Sequence, residues 1–218
     1  MSRGGGARTD ALIVDRRADL GARRLIALTF DDGPSGATPA VLDLLRDHGA
    51  HATFFVVGRY VEELPEVVQR AAAEGHELGN HTYDHVDAAH EKDDDVLRNQ
   101  LARASAAIET AVGAVPRLIR PPYGKDVARV ARLGRELGLA HTILWSAQGW
   151  DWDATPAEEI AALVLRDCAP GGIVVLHDGV PPGGGPSREP MLVALAAILD
   201  ALTRDGYELL TVSELLAA

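Results

Sequence analysis

Residues 25–34 read Leu25-Ile26-Ala27-Leu28-Thr29-Phe30-Asp31-Asp32-Gly33-Pro34. The run to Phe30 is short and apolar, which predicts a strand. It stops at two adjacent carboxylates in an Asp-Gly-Pro turn, so the strand delivers charge at its C-terminal end. The same arrangement recurs along the chain. Strands are expected at Leu25 to Phe30, Ala52 to Val57, Glu77 to Asn80, Arg117 to Arg120, Thr142 to Trp145, Ile173 to His177 and Tyr207 to Thr211. Between them, apolar residues at three and four spacing predict helices over Pro39 to His48, Leu64 to Glu74, Asp94 to Val112, Val127 to Leu137, Pro156 to Cys168 and Pro190 to Arg204. Gly49, Gly75, Gly113, Gly138 and Gly206 follow five of these helices, where a left-handed cap is expected. Alternation of this kind predicts an α/β protein with a parallel sheet, a distorted (β/α) barrel of about seven strands, with a doubly wound open sheet as the alternative.

The 218 residues are 47% hydrophobic and 24% charged, the composition of one ordinary globular domain. Residues 1–23 read as an N-terminal extension and 24–218 as a catalytic domain. A net charge of -11 argues against a nucleic-acid partner, because such a surface repels phosphates, and suits a neutral or cationic substrate. The single cysteine, Cys168, lies in an apolar helical stretch and reads as an inert, buried thiol. Ala11 to Val14 is too short for the apolar core of a secretion signal, and no run approaches the roughly 20 apolar residues of a spanning helix. A cytoplasmic protein with no membrane partner is expected, or a secreted one if a leader has been removed. Val180 to Pro186, Val-Pro-Pro-Gly-Gly-Gly-Pro, reads as a flexible loop after a strand.

In a barrel, loops that follow strand C-termini form the active face. Asp31 and Asp32 are costly neighbours unless a cation or proton offsets one, which suggests one carboxylate on a metal and the other as a base. His81 and His85, four apart, would share one helical face and reach one ion. Two imidazoles and a carboxylate leave coordination positions open, the arrangement of a catalytic zinc site. Arg120 stands at the mouth of the fourth strand, before Pro121 and Pro122, and could pair with an active-site carboxylate. Trp145, Trp150 and Trp152 form an aromatic cluster that either stacks on sugars or simply packs the rim. His177 ends the sixth strand, placed to act as a general acid. His48, His51, His76, His90 and His141 read as structural or solvated.

Taken in order, Thr29-Phe-Asp-Asp-Gly-Pro34, His81-Thr-Tyr-Asp-His85, Arg120-Pro-Pro-Tyr-Gly124, Trp145-Ser-Ala-Gln-Gly-Trp-Asp-Trp152 and Val174-Val-Leu-His-Asp-Gly179 resemble the NodB-type polysaccharide deacetylases of carbohydrate esterase family four. The resemblance covers about Arg24 to Leu215. It implies that Asp31 is the general base, held charged by Arg120, and that Asp32, His81 and His85 bind a divalent metal. That metal would be zinc, with cobalt, nickel, manganese or iron as alternatives on the same ligands. It further implies His177 as general acid tuned by Asp151, the Tyr123 backbone N–H as oxyanion stabiliser, and a substrate pocket shaped by Pro122, Tyr123, Trp152 and Leu176. Gln148 departs from the family pattern, which places an Asp there. The implied activity is removal of acetyl groups from acetylated carbohydrates. Two other functions fit the same motifs: a hydrolase of a small non-polymer amide, such as a cyclic imide, ureide, formyl group or acetylated glycoside, and an inactive sugar-binding barrel.

Overall fold

The computed structural model describes residues 12–18, 20–181 and 184–218. In chain order the elements are β1 (Leu12–Val14), β2 (Leu25–Asp31), α1 (Thr38–Asp47), β3 (Ala52–Val56), α2 (Gly58–Glu63), α3 (Pro65–Ala73), β4 (Glu77–Asn80), α4 (Asp94–Val112) and β5 (Leu118–Ile119). A 3-10 turn (Pro122–Gly124) then leads to α5 (Val127–Glu136), β6 (His141–Ile143), β7 (Ala147–Gln148), α6 (Ala157–Asp167), β8 (Ile173–His177), α7 (Glu189–Arg204), β9 (Glu208–Leu210) and α8 (Val212–Ala217). The strands pair in parallel in the order β1-β6-β5-β4-β3-β2-β8-β7, with β9 on the start of β2. The sheet curls into a half-barrel with helices around it, as the sequence pattern predicts. The five glycines expected as helix caps all have positive φ, from 59° at Gly49 to 86° at Gly75 and Gly138.

Four elements go beyond the sequence reading. Strand β1 lies in the stretch 1–23 and pairs with β6. After it, Arg16 bridges to Gly172, and Arg17 N–H donates to the Gly171 carbonyl at 2.7 Å, so this segment ties the β6 edge back to the base of β8. Strand β7 is a two-residue continuation of the chain leaving β6, paired with β8. Helices α2 and α8 have six residues each, too few for a helical period to show. Helix α8 starts with a capping box between Thr211 and Glu214.

Alternation along the strands places the site. On β2, Ile26, Leu28 and Phe30 pack outward into the layer beneath α1, α6 and α7, while Leu25 and Ala27 face inward with Phe55, Ile143, Ile173, Val212 and Leu215. Each such side chain buried in full contributes about 1.5–3 kcal/mol. The inward period of two continues upward to Thr29 and Asp31, so the barrel interior is apolar at its base and polar at its mouth. On β8 the same alternation sends Val174 and Leu176 outward and Ile173 inward, leaving His177 at the mouth. Cys168 follows α6, and burial, aided by Asp167, pushes its thiol up to about 12, which keeps it inert. Among the described residues no helix is long and apolar enough to cross a membrane.

Candidate active site

Asp31 and His177 end two hydrogen-bonded strands and are direct register partners. Both line a pocket of about 270 Å³, together with Asp32, His81, His85, Tyr123, Trp145, Trp152, Pro181, Gly184, Gly185 and Arg188. Beneath the pocket lies Arg120, a fully buried guanidinium. It donates to Asp31 Oδ1 and to Thr29 Oγ1, both at 2.7 Å, and to the carbonyls of Leu144 at 3.0 Å and Ile143 at 3.3 Å. The Phe55 ring lies 4.1 Å below its carbon centre. These contacts fix the Asp31 carboxylate in position and compensate its charge inside the barrel.

Beside Asp31, Asp32 has a left-handed backbone, φ 70°, which turns its side chain toward β4. Its Oδ1 lies 2.9 Å from His85 Nε2 and 3.3 Å from His81 Nε2. Burial opposes ionisation of Asp32, but the two imidazoles more than offset it and hold the carboxyl well below the usual range. His81 Nδ1 donates to the Arg120 carbonyl at 2.7 Å, which fixes the ring with Nε2 toward Asp32. Asp32 Oδ1 and His85 Nδ1 are buried without a well-aligned hydrogen bond, despite the short distances around Oδ1. One carboxylate oxygen and two imidazole nitrogens within 4.8 Å of one another, buried and incompletely hydrogen-bonded, fit a divalent cation.

The histidines do not converge by helical geometry. Residues 81–85 form an irregular turn after β4, with Thr82 at φ 63° and His85 at φ 57°. The turn is held by Thr82 N–H to Asn80 Oδ1 at 2.8 Å and by Tyr83 and Asp84 N–H to Gln100 Oε1 at 3.1 and 2.8 Å. Strained backbone concentrates here: Asp32, Thr82, His85, Tyr123 and Trp150 are five of the six non-glycine residues with positive φ among the described residues. Such conformations persist where surrounding structure over-determines them, typically at functional sites.

Opposite the histidines, Asp151 grips His177 twice, accepting from its backbone N–H at 2.7 Å and lying 3.0 Å from Nδ1. That engagement leaves Nε2 as the free ring nitrogen. Burial disfavours charge on the ring, but Asp151, then Asp31 and Asp32, outweigh it and push the pKa up to about 9. Gln148 takes no part in this pair; its Oε1 accepts from Trp145 Nε1 at 2.9 Å. Tyr123, at φ 60° and half exposed, sets its ring edge against His85 at 4.8 Å. Its backbone N–H donates to no acceptor among the described residues.

Two residues assigned to the substrate pocket are not on its wall. Leu176 is fully buried and, by strand alternation, faces the outer helical layer. Pro122 is buried in the turn that presents Tyr123. Trp145 of the aromatic cluster and Pro181, Gly184 and Gly185 of the glycine-rich stretch also line the pocket, as does Arg188, which nothing in the sequence marks. Arg188 precedes α7 and donates to the carbonyls of Asp151 at 3.1 Å and Pro186 at 3.2 Å. Its neighbours Ser187 and Glu189 carry no motif that would have marked it. Of the glycine-rich stretch 180–186, residues 182 and 183 lie outside the described residues. The remaining histidines lie away from the pocket, His48 between the Leu44 carbonyl and Asp200 and His76 in the lower core.

A parallel half-barrel with an Asp-His-His cluster flanked by a buried carboxylate and a carboxylate-bound histidine defines a hydrolase of the carbohydrate esterase type. The chain belongs to the polysaccharide deacetylase family, whose model matches residues 20–142. It is 41% identical to a chitooligosaccharide deacetylase of Bradyrhizobium sp. (strain ANU 289) over 199 residues, covering 88% of this chain and 90% of that one. It is also 41% identical to a peptidoglycan-N-acetylglucosamine deacetylase of Bacillus cereus, covering 88% of each. The crystal structure of the Bc1960 peptidoglycan N-acetylglucosamine deacetylase superposes with a TM-score of 0.83 at 33% identity over 90% of both chains.

Proposed function

We propose that this protein hydrolyses acetyl groups from acetylated sugars of the chitooligosaccharide, peptidoglycan or xylan type. The observation that carries the reading is the placement of Asp31 and His177, neighbours on β2 and β8, in one pocket with the Asp32, His81 and His85 cluster. Those three residues would hold a divalent cation. Zinc suits two imidazoles and one carboxylate, although cobalt, nickel, manganese or iron could use the same ligands. When bound, such a cation supplies Lewis acidity toward a carbonyl and a lowered pKa for water.

The chain's own residues account for the proton movements. Asp31, fixed by Arg120 and Thr29, takes the proton of the water that attacks the acetyl carbonyl carbon. The Tyr123 N–H faces the developing oxyanion, and a donor of this kind is worth about 3 kcal/mol of the barrier. His177, with Nδ1 held by Asp151, delivers a proton from Nε2 to the departing amine or alcohol as the bond to the acetyl carbon breaks. Acetate and the free sugar result. The net charge of -11 matches a neutral substrate.

Asp31→Asn and His177→Ala separate these roles from binding. Each is expected to fold and to retain bound metal while losing about 10²–10⁴ in acetate release, with Asp31→Asn melting below wild type because it strands the buried Arg120. Near-normal turnover in either variant contradicts the assignment.

A further inference from the structure

Asp151 points into the protein to hold His177, and the two residues that flank it come out on the other side. Trp150 is 48% exposed and Trp152 36% exposed. Their ring centres are 4.9 Å apart and the planes are tilted by 46°, so neither face covers the other. Trp152 belongs to the pocket wall and stands edge-on to His177 at 5.2 Å. Trp150, in contact with Trp152, is not part of that wall.

Trp150 also has φ 56°, a backbone region that bulky side chains rarely occupy. Its carbonyl is held there by Thr155 Oγ1 at 2.8 Å and by Asp153 N–H at 3.2 Å. A strained backbone that lifts an indole half into water gains little from packing, which directs attention to something the ring binds. A pocket of about 270 Å³ lies just below the usual range for small-ligand sites and suits one acetylated sugar unit. A neighbouring ring in a glycan must therefore lie on the rim. Sugar rings have C–H faces that settle on aromatic faces while their hydroxyls stay in water, and two tilted indoles at the rim fit that need.

We propose that Trp150, together with Trp152, is a stacking platform for the sugar ring adjacent to the one being deacetylated. The inference rests on the carbohydrate deacetylase reading above. It makes Trp150 a determinant of chain-length preference with no part in the proton transfers.

The test compares acetate release from N-acetylglucosamine, diacetylchitobiose and tetra-acetylchitotetraose by wild type, Trp150→Ala and Trp150→Phe. Wild type is expected to prefer the tetramer. In Trp150→Ala the KM for the tetramer should rise about three- to tenfold with little change in kcat, and the preference for tetramer over single sugar should shrink by the same factor, whereas Trp150→Phe keeps most of it. Binding of tetra-acetylchitotetraose to the Asp31→Asn protein, with and without Trp150→Ala, should weaken by a similar factor. An unchanged KM, or an equal loss on all three sugars, overturns the platform. If wild type deacetylates all three lengths equally, the deacetylase reading stands and the platform alone falls. If it acts on none of them and the Asp31→Asn protein does not bind the tetramer, both fall.

Discussion

Replacing Arg120 with methionine removes the guanidinium while filling most of its volume. Arg120 is fully buried and supplies four hydrogen bonds, one of them to the buried Asp31 carboxylate at 2.7 Å. Removing one partner of a buried ion pair typically costs about 3–5 kcal/mol, because the remaining charge is stranded. For a chain of this size each kcal/mol lowers the unfolding temperature by about 2–4 °C, so Arg120→Met should melt about 6–20 °C below wild type. The loss of donors to Thr29, Ile143 and Leu144 contributes to this figure, and it is also present in the double variant Asp31→Asn, Arg120→Met. The double variant has no stranded charge. It should therefore be more stable than the sum of the two single losses predicts, with a coupling of about 1–3 kcal/mol in a denaturant-unfolding cycle. A single variant within about 1 kcal/mol of wild type, or strictly additive losses, would refute the idea that Arg120 compensates Asp31 inside the barrel.

Other consequences are equally open to measurement. Asp151 is the main group raising the pKa of His177, to about 9 in the metal-free site, so activity that needs protonated His177 is lost as pH rises into the alkaline range. Asp151→Asn should move that alkaline limb to lower pH; a bound cation lowers the limb in both proteins, and an unchanged limb would dissociate Asp151 from the acid. His76 is buried with Nε2 unpartnered, and burial, with repulsion from His51, pushes its pKa from 6.5 down to about 4. Its folded pKa is depressed, so the unfolded chain takes up this proton first: stability is fully present above pH 6.5 and falls as pH drops toward 4. Urea unfolding of His76→Leu at pH 7 and pH 5 should show a smaller acid loss than wild type, and an equal loss would exclude His76 as its source.

How much of this was legible in the sequence depends on length and on alternation. Helices of nine residues or more show their apolar spacing and, except for α6, a capping glycine, and the strands that carry Asp31 and His177 are bounded by turn residues. Strands β1 and β7 have three and two residues, too short for any period, and they form through pairing with β6 and β8 rather than through their own propensity. His81 and His85 were correctly grouped as neighbours, but for a reason that fails: the turn that joins them depends on left-handed Thr82 and His85 and on Gln100, seventeen residues from Tyr83. Leu176 is a pocket residue only by the family resemblance, whereas strand alternation turns it to the face opposite His177. Arg188 reaches the pocket from the start of α7, a long-range arrangement with no local signature.

The central claim is most directly tested by acetate release from an N-acetylated chitooligosaccharide, with metal content measured on the same sample before chelation, after chelation and after zinc add-back. The account predicts about one metal per chain on Asp32, His81 and His85, acetate release that disappears on chelation, and its return with zinc. A fully folded protein that binds no metal, or that releases acetate equally well with and without it, would contradict the account.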